Sequence, residues 1–351
     1  MPRTFFLAIL LFCLTFSSSA SAQNVITSHI ANLIDRLDGK RGRPDTHAPA
    51  GLGADHVHKQ GKMMLEHKYM YMYMDGMRHG DARVGDIASL SATPVVFTIT
   101  PTRMTMEMDM FHFMYGLNDN VTLYILPMWF ENRMAHRNGS GAVMFNTRNT
   151  GFGDLPFGAL INLYEDDQHE LMFNFGWSAP TGSTTRRTGT PLGVAEFPYP
   201  MRLGSGVVNA RPGITYKRFF ERASLGLQMQ SDLPVVKHGG YRDSKKHEVN
   251  FWVSHLLDSQ DRFAATLRVQ SAWKTNISGF DPQLGAAPTL VSTARNDMRG
   301  SSRINLGYGL IWALPRGGRI NVELVHPVYQ HMSGVQLETD LTVFSSYSKA
   351  L

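Results

Sequence analysis

Residues 206–233 read GVVNARPGITYKRFFERASLGLQMQSDL. In the first half Asn209, Arg211, Thr215 and Lys217 alternate with Val208, Ala210, Ile214 and Tyr216. After Phe220-Glu221 the alternation resumes, with Ser224, Gln228 and Gln230 set against Leu225, Leu227 and Met229. A period of two is the signature of an extended strand whose side chains point to opposite faces. Two such runs joined by so brief a link read as an antiparallel hairpin.

The same unit repeats outwards in both directions. Cutting the chain at its Gly, Asn, Asp and Pro clusters gives twelve stretches of 10–14 residues, joined by gaps that are short and long in rotation. The short gaps are 117–119, 165–168, 220–221, 257–261 and 316–317. The others are 75–103, 132–150, 180–205, 234–245, 276–301 and a brief one at 332–336. Strands of this length, tilted near 45°, cross a hydrocarbon layer of roughly 25–30 Å, and short turns on one side with longer loops on the other are the pattern of a bacterial outer-membrane barrel. The expected fold is therefore all-β: a transmembrane antiparallel β-barrel of about twelve strands over residues 61–351, with both ends of the barrel on the periplasmic side.

Arg3 followed by the apolar run 5–16 and the small residues Ala20-Ser21-Ala22 reads as a cleavable leader over residues 1–22. The single cysteine, Cys13, lies in it, so the mature chain is expected to have neither a disulfide nor a thiol. Hydrophobic residues make up 43% of the chain and charged ones 18%, a balance suited to a wall that faces lipid on one side and water on the other. The formal net charge of +5 falls by one when Arg3 leaves with the leader. So mild an excess, with no basic run, suits anionic lipopolysaccharide and gives no footprint for nucleic acid. Location in the bacterial outer membrane, with lipid, lipopolysaccharide and the barrel-assembly machinery as partners, is the matching expectation.

A charge facing lipid at mid-depth costs about 2–4 kcal/mol, which assigns the charged face of each strand to the lumen. That rule predicts a basic lumenal arc of Arg211, Lys217, Arg268 and Arg303, and an acidic arc of Glu66, Glu323, Glu338 and Asp340. Facing arcs would set a transverse field across the pore. The other reading is that the same groups pair and fill a narrow interior. Asp154 is expected near the outer mouth, with Tyr124, Met128 and Phe130 as apolar lining.

The chain has 20 methionines and they cluster early. Met70, Met72 and Met74 alternate with Tyr69, Tyr71 and Tyr73, and Met104, Met106, Met108, Met110 and Met114 share a face with His112. Thioethers beside the imidazoles of His56, His58 and His112 are soft ligands of the kind that suits Cu(I), which makes a copper site or path one reading and copper the one cofactor to consider. The other is an adaptable apolar lining for varied solutes or for lipid. If Glu107 and Asp109 point inward, the ladder faces lipid.

Residues 23–60 are too polar for a strand. Ser28 can cap a short helix with Ile30, Leu33, Ile34 and Leu37 on one stripe and Gly39 at its end. The segment is expected either to enter the lumen as a plug or to hang as a periplasmic tail.

Particular strings carry a resemblance that periodicity does not: HAPAGLGADHVH (47–58), KYMYMYMD (68–75), Met114-Tyr115-Gly116, GFGDL (151–155), Pro180-Thr181-Gly182, YPMRLGSGVVNARPGITY (199–216) and QLETD (336–340). Together they resemble the outer-membrane proteins classed as meta-pathway phenol-degradation transporters, relatives of the hydrocarbon and fatty-acid channels. The resemblance implies a passive channel for small, often apolar or aromatic compounds, and supplies no binding residues. The chain departs from the long-chain fatty-acid channels in its shorter length and brief N-terminal segment, and its end, 346–351, lacks a terminal aromatic. No serine sits in a nucleophile string, and His255 and His326 fall on apolar faces, so catalysis is not expected.

Overall fold

The computed structural model describes residues 42–237 and 239–351. The leader (1–22) and the expected helix at 28–39 lie outside the described residues. No described helix is long and apolar enough to cross a membrane; the architecture is a closed antiparallel sheet.

Hydrogen bonding closes a ring of eleven strands with three more beside it. Counted as crossings of the wall, these make twelve staves. They are β1 (Met63–Gly80), β2 (Ile99–Asn118), β3 (Val121–Ile125 and Met128–Asn138 end to end), β4 (Val143–Phe152 and Leu155–Glu165 end to end), β5 (His169–Ala179) and β6 (Asn209–Phe219). Next come β7 (Ala223–Pro234), β8 (Lys246–Leu256), β9 (Phe263–Lys274) and β10 (Ser301–Leu314). The continuous strand Gly318–Ala350 supplies the last two. Its residues 318–332 pair with β10, as stave β11, and 332–350 pair with β1, as stave β12. Gly334, at φ +76°, lies where the chain reverses, a backbone region open to glycine at little cost.

Each stave pairs with its sequence neighbour, and β1 pairs with β12 from Met64 opposite Ala350 upward, so no strand edge is left around the ring. Closure of this kind removes the unpaired donors that an open sheet exposes. The links between β2 and β3, β4 and β5, β6 and β7, β8 and β9, and β10 and β11 are tight and lie at one end, the turn end. Long links lie at the other, the loop end.

Two gaps differ from expectation. The polar stretch 132–150 is strand for most of its length: β3 runs to Asn138 and β4 starts at Val143. Its alternation persists, with Asn132, Met134 and His136 buried on one face and Arg133 exposed on the other, and the many Asn and Arg residues conceal it. Likewise β1 continues past Asp75 to Gly80, where Ala82–Val84 folds back on it.

Candidate functional site

The interior is defined by what it encloses. Residues 43–60 lie against the inner faces of staves from all around the ring, and the wall supplies partners to their backbone. Ser224 Oγ on β7 donates to the Asp45 carbonyl, and Lys217 Nζ on β6 to that of Thr46 at 3.0 Å. Asn321 on β11 donates to the Ala48 carbonyl at 3.1 Å, Lys68 on β1 to that of Leu52 at 2.5 Å, and Gln228 on β7 to that of Gly53 at 2.9 Å. In the other direction Gly51 N donates to Glu323 at 2.7 Å and His58 N to Thr122 on β3 at 2.7 Å. Irregular backbone inside a wall needs this service, because each unpaired buried amide costs about 1–3 kcal/mol. Ala48 and Leu52 pack on Trp252, which points inward from β8. A side chain at Gly51 has no room: a Cβ there would come within 2.5 Å of Arg268 and 2.8 Å of Glu323.

The lining charges are arranged as pairs, and the two arcs do not stand opposed. Arg268 meets Glu323 with two contacts of 2.7 and 3.1 Å and donates to Asn250 at 2.9 Å, all three groups being buried. Lys217 pairs with Glu170 at 2.9 Å, Arg211 lies 3.7 Å from Asp232, and Arg303 donates to Thr339 at 2.8 Å. Glu338 is held by Arg78 at 2.7 Å and by Arg83, and Asp340 accepts from the Asp75 amide at 2.8 Å. Glu66 is shared by Lys68 at 3.9 Å and His112 at 3.6 Å. Glu170 and Trp252 are inward groups without a place among the sequence expectations, whereas Glu248 and Asn250 belong to the polar, lumen-facing set that alternation gives for 246–256. For Glu170 the signal was its place two residues before Met172 and four before Asn174, both of which are buried.

The methionine ladder faces inward. Met70 is opposite Met108, Met72 opposite Met106 and Met74 opposite Met104 across β1 and β2, in the same register that puts Glu66 opposite His112. Met104 is in turn opposite Met134 on β3. Met128 and Phe130 share this face, and Tyr124 donates its hydroxyl to Asn174 at 3.0 Å within a cluster of Met64, Met114 and Leu160. Met72, Met106, Met108 and Phe130 are only partly buried.

Glu107 and Asp109 consequently point outward, and so do Glu131, Arg133 and Arg148. The expectation that every charge faces the lumen fails in this sector, for a physical reason: these groups find partners on the same outer surface. Arg148 makes two 3.0 Å bonds to Glu131, and Arg133 a third at 2.5 Å. Asp109 bonds His67 at 2.9 Å, and Tyr69 donates to Glu107 at 3.0 Å.

The metal candidates drawn from the sequence do not gather into one sphere. Met104 lies in the cluster with Phe197 and Met201, whereas His112 sits beside Tyr124, ring centroids 5.6 Å apart. His56 and His58 lie in the lumen segment with His47 and Asp55. Burial, with Arg319 adding, holds the His47 imidazole well below its usual range; burial and then His56 bring His58 down to about 3.

At the loop end the long links fold together over the mouth. Phe197 and Met201, from the 180–208 link, pack on Met104 and Met134, and Asn149 donates to the Met201 carbonyl at 2.8 Å. Asp154, at the break in β4, fixes that link by accepting from Gly182 N, Ser205 N and Ser205 Oγ at 3.0, 2.8 and 2.7 Å. Arg202 then reaches Asp281 at 2.7 Å, joining a second link, and Arg299 of that link reaches Gln336 at 2.7 Å.

Among known proteins, none of the family profiles matches this chain and no curated protein does. Solved structures do match. The COG4313 outer membrane channel from Pseudomonas putida F1 superposes with a TM-score of 0.60 at 12% identity, over 84% of this chain and 97% of that one. The translocator domain of the autotransporter NalP from Neisseria meningitidis gives 0.45 at 8% identity, over 93% and 98%. A mutant of the TodX monoaromatic hydrocarbon channel gives 0.43 at 9%, over 84% and 91%. The fold is that of an outer-membrane barrel.

Proposed function

We propose that the chain spans the bacterial outer membrane as a passive channel for small apolar or aromatic compounds, with residues 43–60 as a plug at its periplasmic, turn end. The observation that carries this reading is the inner face of β1–β3. Between the plug and the roof of loops it presents thioethers and rings where the rest of the lumen presents paired charges and amides. Thioethers are polarizable and conformationally adaptable, so such a wall offers contact to apolar solutes of varied shape. The resemblance of its sequence strings to the phenol-degradation transporters, and the fold it shares with a solved outer-membrane channel, support the same reading, and no step in it requires bond-making chemistry.

Purified protein in planar bilayers tests it. The full chain is expected to give small discrete conductance steps, and deletion of 43–60 to enlarge them several-fold. Liposomes carrying the protein should load phenol or toluene faster than empty ones, and Met106→Glu with Met108→Glu should abolish that gain. Silent bilayers for both chains, with loading no faster than in empty liposomes, would leave a structural barrel.

A second reading has one observation of its own. Directly opposed methionines on the inner face are a path for a soft ion such as Cu(I). Cu(I) transfer into liposomes that disappears in Met106→Leu with Met108→Leu, while phenol loading survives, would select it.

A further inference from the structure

Residues 47–58 turn back on themselves inside the plug. His47, Asp55 and His56 each offer a donor atom, all within 4.8 Å of one another. The His47 and His56 rings meet edge to face with centroids 4.7 Å apart, and those of His56 and His58 lie 4.8 Å apart. Asp55 is immobilised, since its Oδ2 accepts from the Ala48 amide at 2.8 Å. Its Oδ1 lies 2.8 Å from His56 Nδ1, and its Oδ2 lies 3.7 Å from His47 Nδ1.

Two ring nitrogens of this group, His56 Nε2 and His58 Nε2, are buried and lack any hydrogen-bond partner, and His47 Nδ1 has only the Asp55 carboxylate, at 3.7 Å. One orphan imidazole nitrogen is unremarkable. Several on adjoining rings are a concentration of unmet polar atoms, each costing about 1–3 kcal/mol when left so. His56 also has the arrangement usual for a metal-bound imidazole: one ring nitrogen is held by a carboxylate, which fixes the ring and leaves the other nitrogen to ligate. The cavity lined by His47, Asp55 and His56 also takes in His112 and Glu66, whose carboxylate offsets the cations Lys68 and Arg319 beside it, with Met64 as its one thioether.

From this geometry we propose that His47 and His56, oriented by Asp55 and flanked by His58, bind one divalent transition-metal cation, Zn²⁺ or Cu²⁺, inside the plug. Imidazole and carboxylate donors suit these ions, whereas a Cu(I) site would draw on thioethers. The cation would tie the two limbs of the 47–58 turn together and make the plug a cross-linked unit. The site is independent of what the channel carries, so its loss would leave the transport reading standing.

The test uses the full chain, purified folded in detergent, stripped with a chelator and titrated with Zn²⁺ alone and then Cu²⁺ alone. One equivalent per chain is expected, with imidazole nitrogen couplings in the Cu²⁺ paramagnetic resonance spectrum. His56→Gln with His58→Gln should weaken binding by more than about 100-fold, and Asp55→Asn by roughly 10- to 100-fold as for loss of an orienting group. Met106→Leu with Met108→Leu should change nothing. Heat-modifiable gel migration reports that each variant is a closed barrel. Two results would overturn the site: a folded, stripped chain that takes up no stoichiometric ion, or binding that the histidine variants leave intact.

Discussion

The wall has two sectors that are built in opposite senses. In β7–β10 the inner face carries Gln228, Asn250, Arg268 and Gln270, while the outer face carries Met229, Phe251, Val253, Leu267, Val269, Tyr308 and Leu310, all well exposed. In β1–β3 the inner face is largely methionine, and the outer face carries Tyr69, Tyr71, Glu107, Asp109, Glu131 and Arg133. The difference teaches that period two fixes which residues share a face without fixing which face is wet. In the first sector the price of burying charge is met by the plug, whose backbone takes up the polar side chains. In the second, the outward charges have partners on their own face: Glu131 takes Arg133 and Arg148, Asp109 meets His67, and Glu107 accepts from Tyr69.

The largest effect should come from splitting the buried pair of the first sector. Glu323→Leu leaves Arg268 uncompensated and removes the acceptor for Gly51, and removing one member of a buried pair costs about 3–5 kcal/mol; urea unfolding in lipid vesicles measures it. The double variant Glu323→Leu with Arg268→Met should recover much of the loss while the plug becomes protease-sensitive. Next comes Gly51→Val, whose side chain would collide with that pair. Overpacking of this kind costs about 1–3 kcal/mol, and the readout is new proteolysis within 43–60 together with larger conductance.

In the inverted sector Glu131→Ala frees two guanidinium groups and should lower the unfolding midpoint by less than Glu323→Leu does. Replacing Glu131, Arg133 and Arg148 together by leucine should restore it. A triple variant less stable than the single one would show that the outer charges serve a contact of their own and do not merely cancel. The smallest effect belongs to Met108→Leu. A swap of nearly constant volume costs less than about 1.5 kcal/mol, and thermal denaturation should scarcely move.

The fold was largely legible in the sequence because β6–β9 obey both rules at once, alternation and charge away from lipid. Tight turns such as 220–221 were legible for the same reason. What escaped reading lies where two rules conflict. Glu107 and Asp109 pull the transfer argument one way and the Met ladder pulls it the other, and the decision rests on partners contributed by β1 and β4: His67, Tyr69 and Arg148. Long-range pairs of that kind leave no local trace. Asp154 reads as the acid of a glycine-flanked bend, but its work is to hold Gly182 and Ser205, which lie 28 and 51 positions further along the chain. Nothing in the sequence ranks His47, nine positions before His56, beside His56 and His58, because only the turn of the plug brings it to them.

The seam between β1 and β12 joins Met64 to Ala350. Two bare edges therefore persist until the last hairpin has arrived, and the slowest contact to form is the one of greatest sequence separation. Loss of the hairpin after Leu314 would leave β1 and β10 as sticky borders, so a truncated product should polymerise edge to edge. For this chain, completeness of synthesis is itself a condition of solubility on the way to its final site.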